Sequence, residues 1–251
     1  MKTKTAWVAG ATGFTGREVV RGLRARNVDV VAHVRSDSSK LETWKAYFQE
    51  MGARVDSTPW EPSALTESLT KLQPDLVYCL IGTTKKRMRA DAKADESYET
   101  VDYGLTAMLV DAAVAAAESS SAKNAKPVFV YVSASGMKEN SPFGYYQARW
   151  KAEQAVLNSG LPCVIARPGV IRGDRDERRV MEEMAGVVGD AVLGVIAKLG
   201  GKTLEERYRS TSDLELGYRL VELGLQRIDE DGQRPTKQIY ETVDLNRMEI
   251  D

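Results

Sequence analysis

Glycines recur as G-x-x-G-x-x-G near the start of the chain, at Gly10, Gly13 and Gly16 in Gly10-Ala11-Thr12-Gly13-Phe14-Thr15-Gly16. A glycine turn between a strand and a helix can cradle the pyrophosphate of a dinucleotide. Gly10 would permit the sharp turn, Gly13 would let the phosphates reach the backbone, and Gly16 would let the helix pack closely. The helix start then offers free N–H groups and the positive end of its dipole. A glycine turn with no ligand would use the same letters. Arg35 stands where a second strand ends, at Ala32-His33-Val34-Arg35-Ser36. An acid there would bond a ribose 2′-OH, whereas a guanidinium can pair a 2′-phosphate bidentately, so the sequence predicts NADPH over NADH. Asp37, two residues on, is the nearest acid. Ser133 and Ser135 follow another apolar run and face the same way if extended. Tyr145 and Arg149 lie one helical turn apart and share a helix face.

These residues need a scaffold, and the apolar pattern supplies one. The run 6–9 reads as a buried strand, and 17–26, with Val19, Val20 and Leu23 on one side, as an amphipathic helix. Further strands are predicted over 28–34, 53–57, 76–81, 128–132, 163–167 and 238–242. Helices are predicted over 39–51, 62–72, 96–119, 145–159 and 211–223, with an irregular one over 175–199 that contains Gly186, Gly189 and Gly194. This alternation implies an α/β fold, a doubly wound and mostly parallel sheet of the Rossmann type. A single domain over 1–251 is expected, with 170–210 as an irregular substrate-side lobe.

Composition sets bounds. The 251 residues carry a formal net charge of −1, so no global field draws nucleic acid or anionic lipid. Cys79 and Cys163 both sit in apolar runs and offer neither a disulfide framework nor metal-ligand spacing. His33, the only histidine, falls late in a strand, so a Ser-His-Asp site is excluded unless His33 serves it. No secretory h-region follows Lys2 and Lys4, and no apolar run approaches a membrane span. A soluble cytoplasmic protein without metal is the expectation. The basic run Lys85-Lys86-Arg87-Met88-Arg89 reads as a solvated loop or a lid over an anionic substrate, with Asp91, Asp95 and Glu96 offsetting it against nucleic acid. Val187 to Leu199 reads as a cleft wall or a subunit contact, leaving a monomer or a homodimer open.

Several short stretches together carry a family resemblance: Gly10 to Gly16, Cys79-Leu80-Ile81-Gly82-Thr83-Thr84, Val132-Ser133-Ala134-Ser135-Gly136, Tyr145-Tyr146-Gln147-Ala148-Arg149 and Arg167-Pro168-Gly169-Val170. The chain resembles the extended and atypical short-chain dehydrogenase/reductases, and within them the Tat-interacting-protein oxidoreductase-like family, whose members bind NADPH. The resemblance implies a cofactor held by Gly10, Thr12, Gly13, Phe14, Thr15, Gly16, Arg35, Gly82, Thr83, Thr84, Arg149, Pro168, Gly169 and Val170. It implies that Ser135, with Ser133 beside it, orients a substrate carbonyl and that Tyr145 acts as acid/base. It places Trp60 beside the adenine, although core packing would explain that tryptophan as well. Active members carry Tyr-x-x-x-Lys, and here Arg149 stands in the lysine position while Lys151 falls on another face. Arginine keeps the charge but does not release a proton at physiological pH. Two readings follow: an NADPH-dependent oxidoreductase acting on a small carbonyl compound, or an NADPH-binding regulatory protein that works through contacts with a protein partner.

Overall fold

The first strand, β1 (Thr5–Ala9), is apolar on both faces, and that dictates the architecture. Ala6 and Val8 join one core layer while Trp7 and Ala9 join the other. A strand buried on both sides needs helices above and below it, the condition met by parallel sheets. In the computed structural model, which describes residues 3–82, 97–119, 126–169, 171–172, 211–229 and 238–248, the further strands are β2 (Asp29–His33), β3 (Arg54–Asp56), β4 (Leu76–Cys79), β5 (Val128–Val132), β6 (Cys163–Arg167), β7 (Ile171–Arg172), β8 (Thr211–Ser212) and β9 (Ile239–Glu241). Seven of them form one sheet in the order β3-β2-β1-β4-β5-β6-β9, and all its neighbours are parallel. Among the described residues β7 and β8 pair only with each other, which places Arg172 and Thr211, the residues flanking 173–210, close together.

The helices are α1 (Phe14–Ala25), α2 (Leu41–Glu50), α3 (Pro62–Leu72), α4 (Leu105–Glu118), α5 (Gly144–Asn158), α6 (Asp213–Asp229) and α7 (Thr242–Arg247). Val19, Val20 and Leu23 of α1 and Leu216, Leu220 and Val221 of α6 fill one layer. Leu65 and Leu69 of α3, Leu109 and Ala113 of α4, and Ala152 and Val156 of α5 fill the other. The two helices of the first layer touch closely, since a Cβ on Gly217 would come within 2.6 Å of the Glu18 Cβ. The chain runs outward from β1 through β2 to β3, then returns to the other side of β1 as β4. The carboxyl ends of β1 and β4 therefore border the switch point where open parallel sheets receive ligands.

The doubly wound parallel sheet agrees with the sequence expectation, and several details differ. The helix expected over 96–119 opens with a π-helical turn, Tyr98–Gly104, capped by a reciprocal Ser97–Thr100 box. β4 stops at Cys79, two residues early. Thr211 and Ser212, expected as helix, form β8, because their backbone pairs with Ile171 and Arg172. α7 was not foreseen in a segment of only six residues. The expected helix over 175–199, like all of the 170–210 lobe except Ile171–Arg172, lies outside the described residues. So do Lys85 to Arg89 and Val187 to Leu199. One further point corrects the membrane expectation: Tyr98–Glu118 is long and apolar enough to cross a membrane by length and composition. Its buried residues, among them Leu109, Ala113 and Ala116, pack into the sheet's core layer, as a core helix does.

Candidate functional site

The turn after β1 is built around absent side chains. Gly10 has φ +74°, and a Cβ there would sit 2.6 Å from the Leu80 carbonyl oxygen. At Gly16 a Cβ would run into the Gly10 carbonyl, so α1 can sit against the turn only with glycine in that position. Gly13 caps α1, its N–H donates to Gly10 O at 3.0 Å, and no side chain bonds the helix start. The first turn of α1 carries no acid. A pyrophosphate fits this arrangement, because the N–H groups of the first turn find no capping side chain and the dipole favours an anion. Thr12 and Thr15 are half-buried beside the turn, and Phe14 is exposed with Arg17 over its ring.

At the end of β2 the arginine and the acid named above face each other. Arg35 Nε lies 3.7 Å from Asp37 Oδ1, and both are about half exposed. Beneath them is an aromatic cluster in which the His33 ring lies 5.1 Å from Trp7 and 5.4 Å from Trp60. His33 Nε2 lies 2.8 Å from the Thr58 carbonyl oxygen, and burial lowers the proton affinity of the ring. His33 is thus a packed strand residue. Asp56, at the end of β3, accepts from Trp7 Nε1 at 2.9 Å, Thr58 N at 2.9 Å, Thr58 Oγ1 at 2.6 Å and Ser68 Oγ at 3.1 Å. Burial alone would raise its pKa, but the bonds from Thr58, Trp7 and Ser68 outweigh that and hold it low.

The third region lies beyond β4 and β5. Ser133 Oγ donates to Met137 Sδ at 3.2 Å. Ser135 is buried at 6% exposure, and among the described residues its Oγ has no hydrogen-bond partner. The Ser135 N–H donates to Pro168 O at 2.9 Å, which joins the loop after β5 to the Arg167-Pro168-Gly169 turn after β6. Tyr145, half-buried at the start of α5, meets Tyr98 at 5.2 Å and Tyr146 at 5.4 Å, and Arg149 Cζ lies 5.5 Å from its ring centroid. Arg149 itself is buried. Its Nη1 donates to Val132 O at 2.7 Å and to Tyr131 Oη at 3.2 Å, and its Nη2 pairs with Asp102 Oδ1 at 2.8 Å. Burial would lower its pKa, but Tyr131, Tyr145 and Asp102 raise it further and keep the group charged. Gly82 makes room for this fork, since a Cβ there would collide with Arg149 Nη2.

The structure therefore brings Gly82, Tyr145, Arg149 and the two serines to neighbouring loops and helix ends. It commits the Arg149 fork to protein partners. Thr83, Thr84 and Val170 lie outside the described residues. Pro168 is buried and Gly169 half-buried. Arg167 is held by Glu153 at 3.0 and 2.6 Å and by Glu241 at 2.8 Å, bonds that hold its pKa above the usual value. Lys151 is exposed and pairs with Glu99 at 2.7 Å. Asp102 and Tyr131 were missed in the sequence. The available signal was an acid between Val101 and Tyr103, just ahead of the apolar run Ala107 to Val110, since an acid that turns inward there needs a buried cation.

Comparison with known proteins bears on this geometry. A family described as NAD(P)H-binding matches residues 10–192, from the glycine turn past the Arg167 turn. Protein FMP52, mitochondrial, of Candida albicans is 28% identical over 182 residues, covering 69% of each chain. Its namesake from Aspergillus fumigatus is 28% identical over 230 residues, covering 88% of this chain and 87% of its own. A solved oxidoreductase of the short chain dehydrogenase/reductase family from Burkholderia thailandensis shares the fold with a TM-score of 0.59 at 14% identity, covering 95% of this chain and 90% of its own. The cytoplasmic expectation is corrected by these curated relatives, which are named as mitochondrial proteins.

Proposed function

Because the chain belongs to the NAD(P)H-binding family, we propose that it is an NADPH-dependent oxidoreductase that reduces a small carbonyl compound. The observation that carries this reading is the Ser135 hydroxyl, buried and unpartnered at the carboxyl edge of the sheet. An unpaired buried hydroxyl is costly unless a ligand supplies the partner. Ser135 would donate to the carbonyl oxygen and hold it as charge develops there, as a donor aimed in advance should. Tyr145 would give the phenolic proton to that oxygen. A reduced nicotinamide bound there would supply the hydride chemistry. The glycine turn and the start of α1 would bind the pyrophosphate, and Arg35 would exchange its loose contact with Asp37 for a 2′-phosphate. The test is a broad carbonyl screen that follows NADPH absorbance, repeated with Tyr145→Phe. Loss of a general acid should lower turnover by roughly 10²–10⁴, with Tyr146→Phe near the parent.

A second reading draws on a different observation. The Arg149 fork is spent on Asp102, Val132 and Tyr131, which favours an NADPH-binding regulatory protein whose occupancy sets a surface for a protein partner. Saturable NADPH binding with no turnover across the carbonyl screen would select it.

A further inference from the structure

Arg149 lies between a carboxylate and a phenol ring. Asp102 is fully buried on the π-helical turn, and its Oδ1 lies 2.8 Å from Arg149 Nη2. The Tyr145 ring centroid is 5.5 Å from Arg149 Cζ. We propose that Asp102 is the positioning residue for Tyr145, acting through Arg149: it holds the guanidinium at the tyrosine and withholds most of its charge from the phenol. The effect on turnover rests on the reductase reading, whereas the electrostatic arrangement does not.

The Asp102 carboxylate touches the guanidinium through Nη2, whereas the Tyr145 ring lies beside the guanidinium without an ion pair, and an opposite charge in contact offsets the field that a cation sends beyond it. Tyr145 therefore faces a dipole and not a free cation. The surroundings maintain this arrangement. Thr106 Oγ1 donates to the Asp102 carbonyl at 2.8 Å, fixing the turn that carries the carboxylate. The void at Gly82 admits the fork. Lys151–Glu99 forms a second ion pair between α5 and the π-helical turn. The Tyr98 ring meets Tyr145 from that same turn. Among the described residues, the titratable and charged groups around Tyr145 are Arg149 and Tyr146 on α5, Asp102 and Tyr98 on the turn, the Lys151–Glu99 pair, and Tyr131 and Cys79 beyond the guanidinium. Among the described residues, Asp102 is the one carboxylate paired with the charge at the ring.

The experiment is a pH titration by NMR of protein labelled with ¹³C at the tyrosine Cζ, with Tyr145→Phe assigning the signal. Asp102→Asn strips the counter-ion and leaves Arg149 charged. The Tyr145 midpoint should then fall by about one pH unit, roughly tenfold more phenolate at a given pH. Asp102→Asn/Arg149→Met removes both charges and should leave the midpoint where the parent has it. It should also melt closer to the parent than the summed losses of the single variants predict, because each single change strands a buried group. A folded Asp102→Asn protein with an unmoved midpoint would reduce Asp102 to a structural role and overturn the proposal. If Asp102→Asn fails to fold, the double variant decides: a midpoint well above the parent's means that Arg149 charge reaches Tyr145 unhindered, and the proposal is wrong. Failure to find a reducible carbonyl would count against the reductase reading and leave these titrations as they stand.

Discussion

Two serines that look alike in the sequence are separated by their neighbours. Ser133 spends its hydroxyl on Met137, while Ser135 keeps a buried hydroxyl with no partner among the described residues. Ser135→Ala should therefore leave stability unchanged or raise it by up to roughly 1 kcal/mol, since it removes a buried polar group that nothing satisfies. The same change should lower turnover by about 10²–10³, the usual loss when one donor to a developing oxyanion is deleted. Ser133→Ala should cost much less activity. Chemical denaturation beside the NADPH-absorbance assay would measure both quantities, and a Ser135→Ala protein that is less stable yet fully active would remove Ser135 from the site. Gly16 is a sharper case of the same principle. Its missing side chain is the space into which Gly10 O fits, so Gly16→Ala should destabilise more than Gly13→Ala, whose Cβ would stand 3.2 Å from that oxygen.

The strand ends at one edge of the sheet form a unit with its own pH dependence. His33 on β2 is packed among Trp7 and Trp60, and burial lowers its proton affinity below the ordinary 6.5. The unfolded chain therefore takes up this proton at higher pH than the folded one. Stability from His33 is complete above about pH 6.5 and is lost as pH falls toward the folded value. Asp56 on β3 is also held below its ordinary 3.8, so its contribution stays intact until the solution is more acidic still. Urea midpoints measured from pH 8 to pH 5 should fall below about 6.5 in the parent, and His33→Phe should flatten the curve in that window while keeping an aromatic ring between the tryptophans. Equal slopes in the two proteins would mean that another group causes the decline. At this scale the sequence read the elements well and their fastenings poorly. Apolar runs and glycine stops located β1, β5 and β6 because both faces of each strand are buried. The role of the π-helical turn escaped notice because its inward acid, Asp102, is held by a cation distant in sequence, which local pattern does not show. Spacing alone likewise shows a cation one turn after Tyr145 and cannot show its counter-ion. Arg149→Lys, which restores the commoner pattern, should therefore lower the melting temperature, because a point charge cannot serve Asp102, Val132 O and Tyr131 together.

For the whole molecule, the cofactor should act as a part of the fold supplied from solution. Its phosphates would complete the uncapped start of α1, next to the switch point between β1 and β4 that divides the sheet. A ligand that binds the native state alone stabilises by mass action, about 2.7 kcal/mol at one hundred times its dissociation constant. For a chain of this size that is roughly 5–10 °C in melting temperature. NADPH should produce this shift, and NADH a smaller one, because Arg35 offers a guanidinium and only a loosely paired acid at the end of β2. Arg35→Asp should bring the two shifts together. Gly13→Val sets a branched side chain on the turn, where the phosphates must approach the backbone, and should abolish the shift while also lowering the starting temperature, since its Cβ crowds Gly10 O. Comparing each variant with and without cofactor separates the two effects. Equal shifts from NADPH and NADH in the parent would dismiss Arg35 as a 2′-phosphate ligand, and a full NADPH shift in Gly13→Val would move the phosphate site away from the glycine turn.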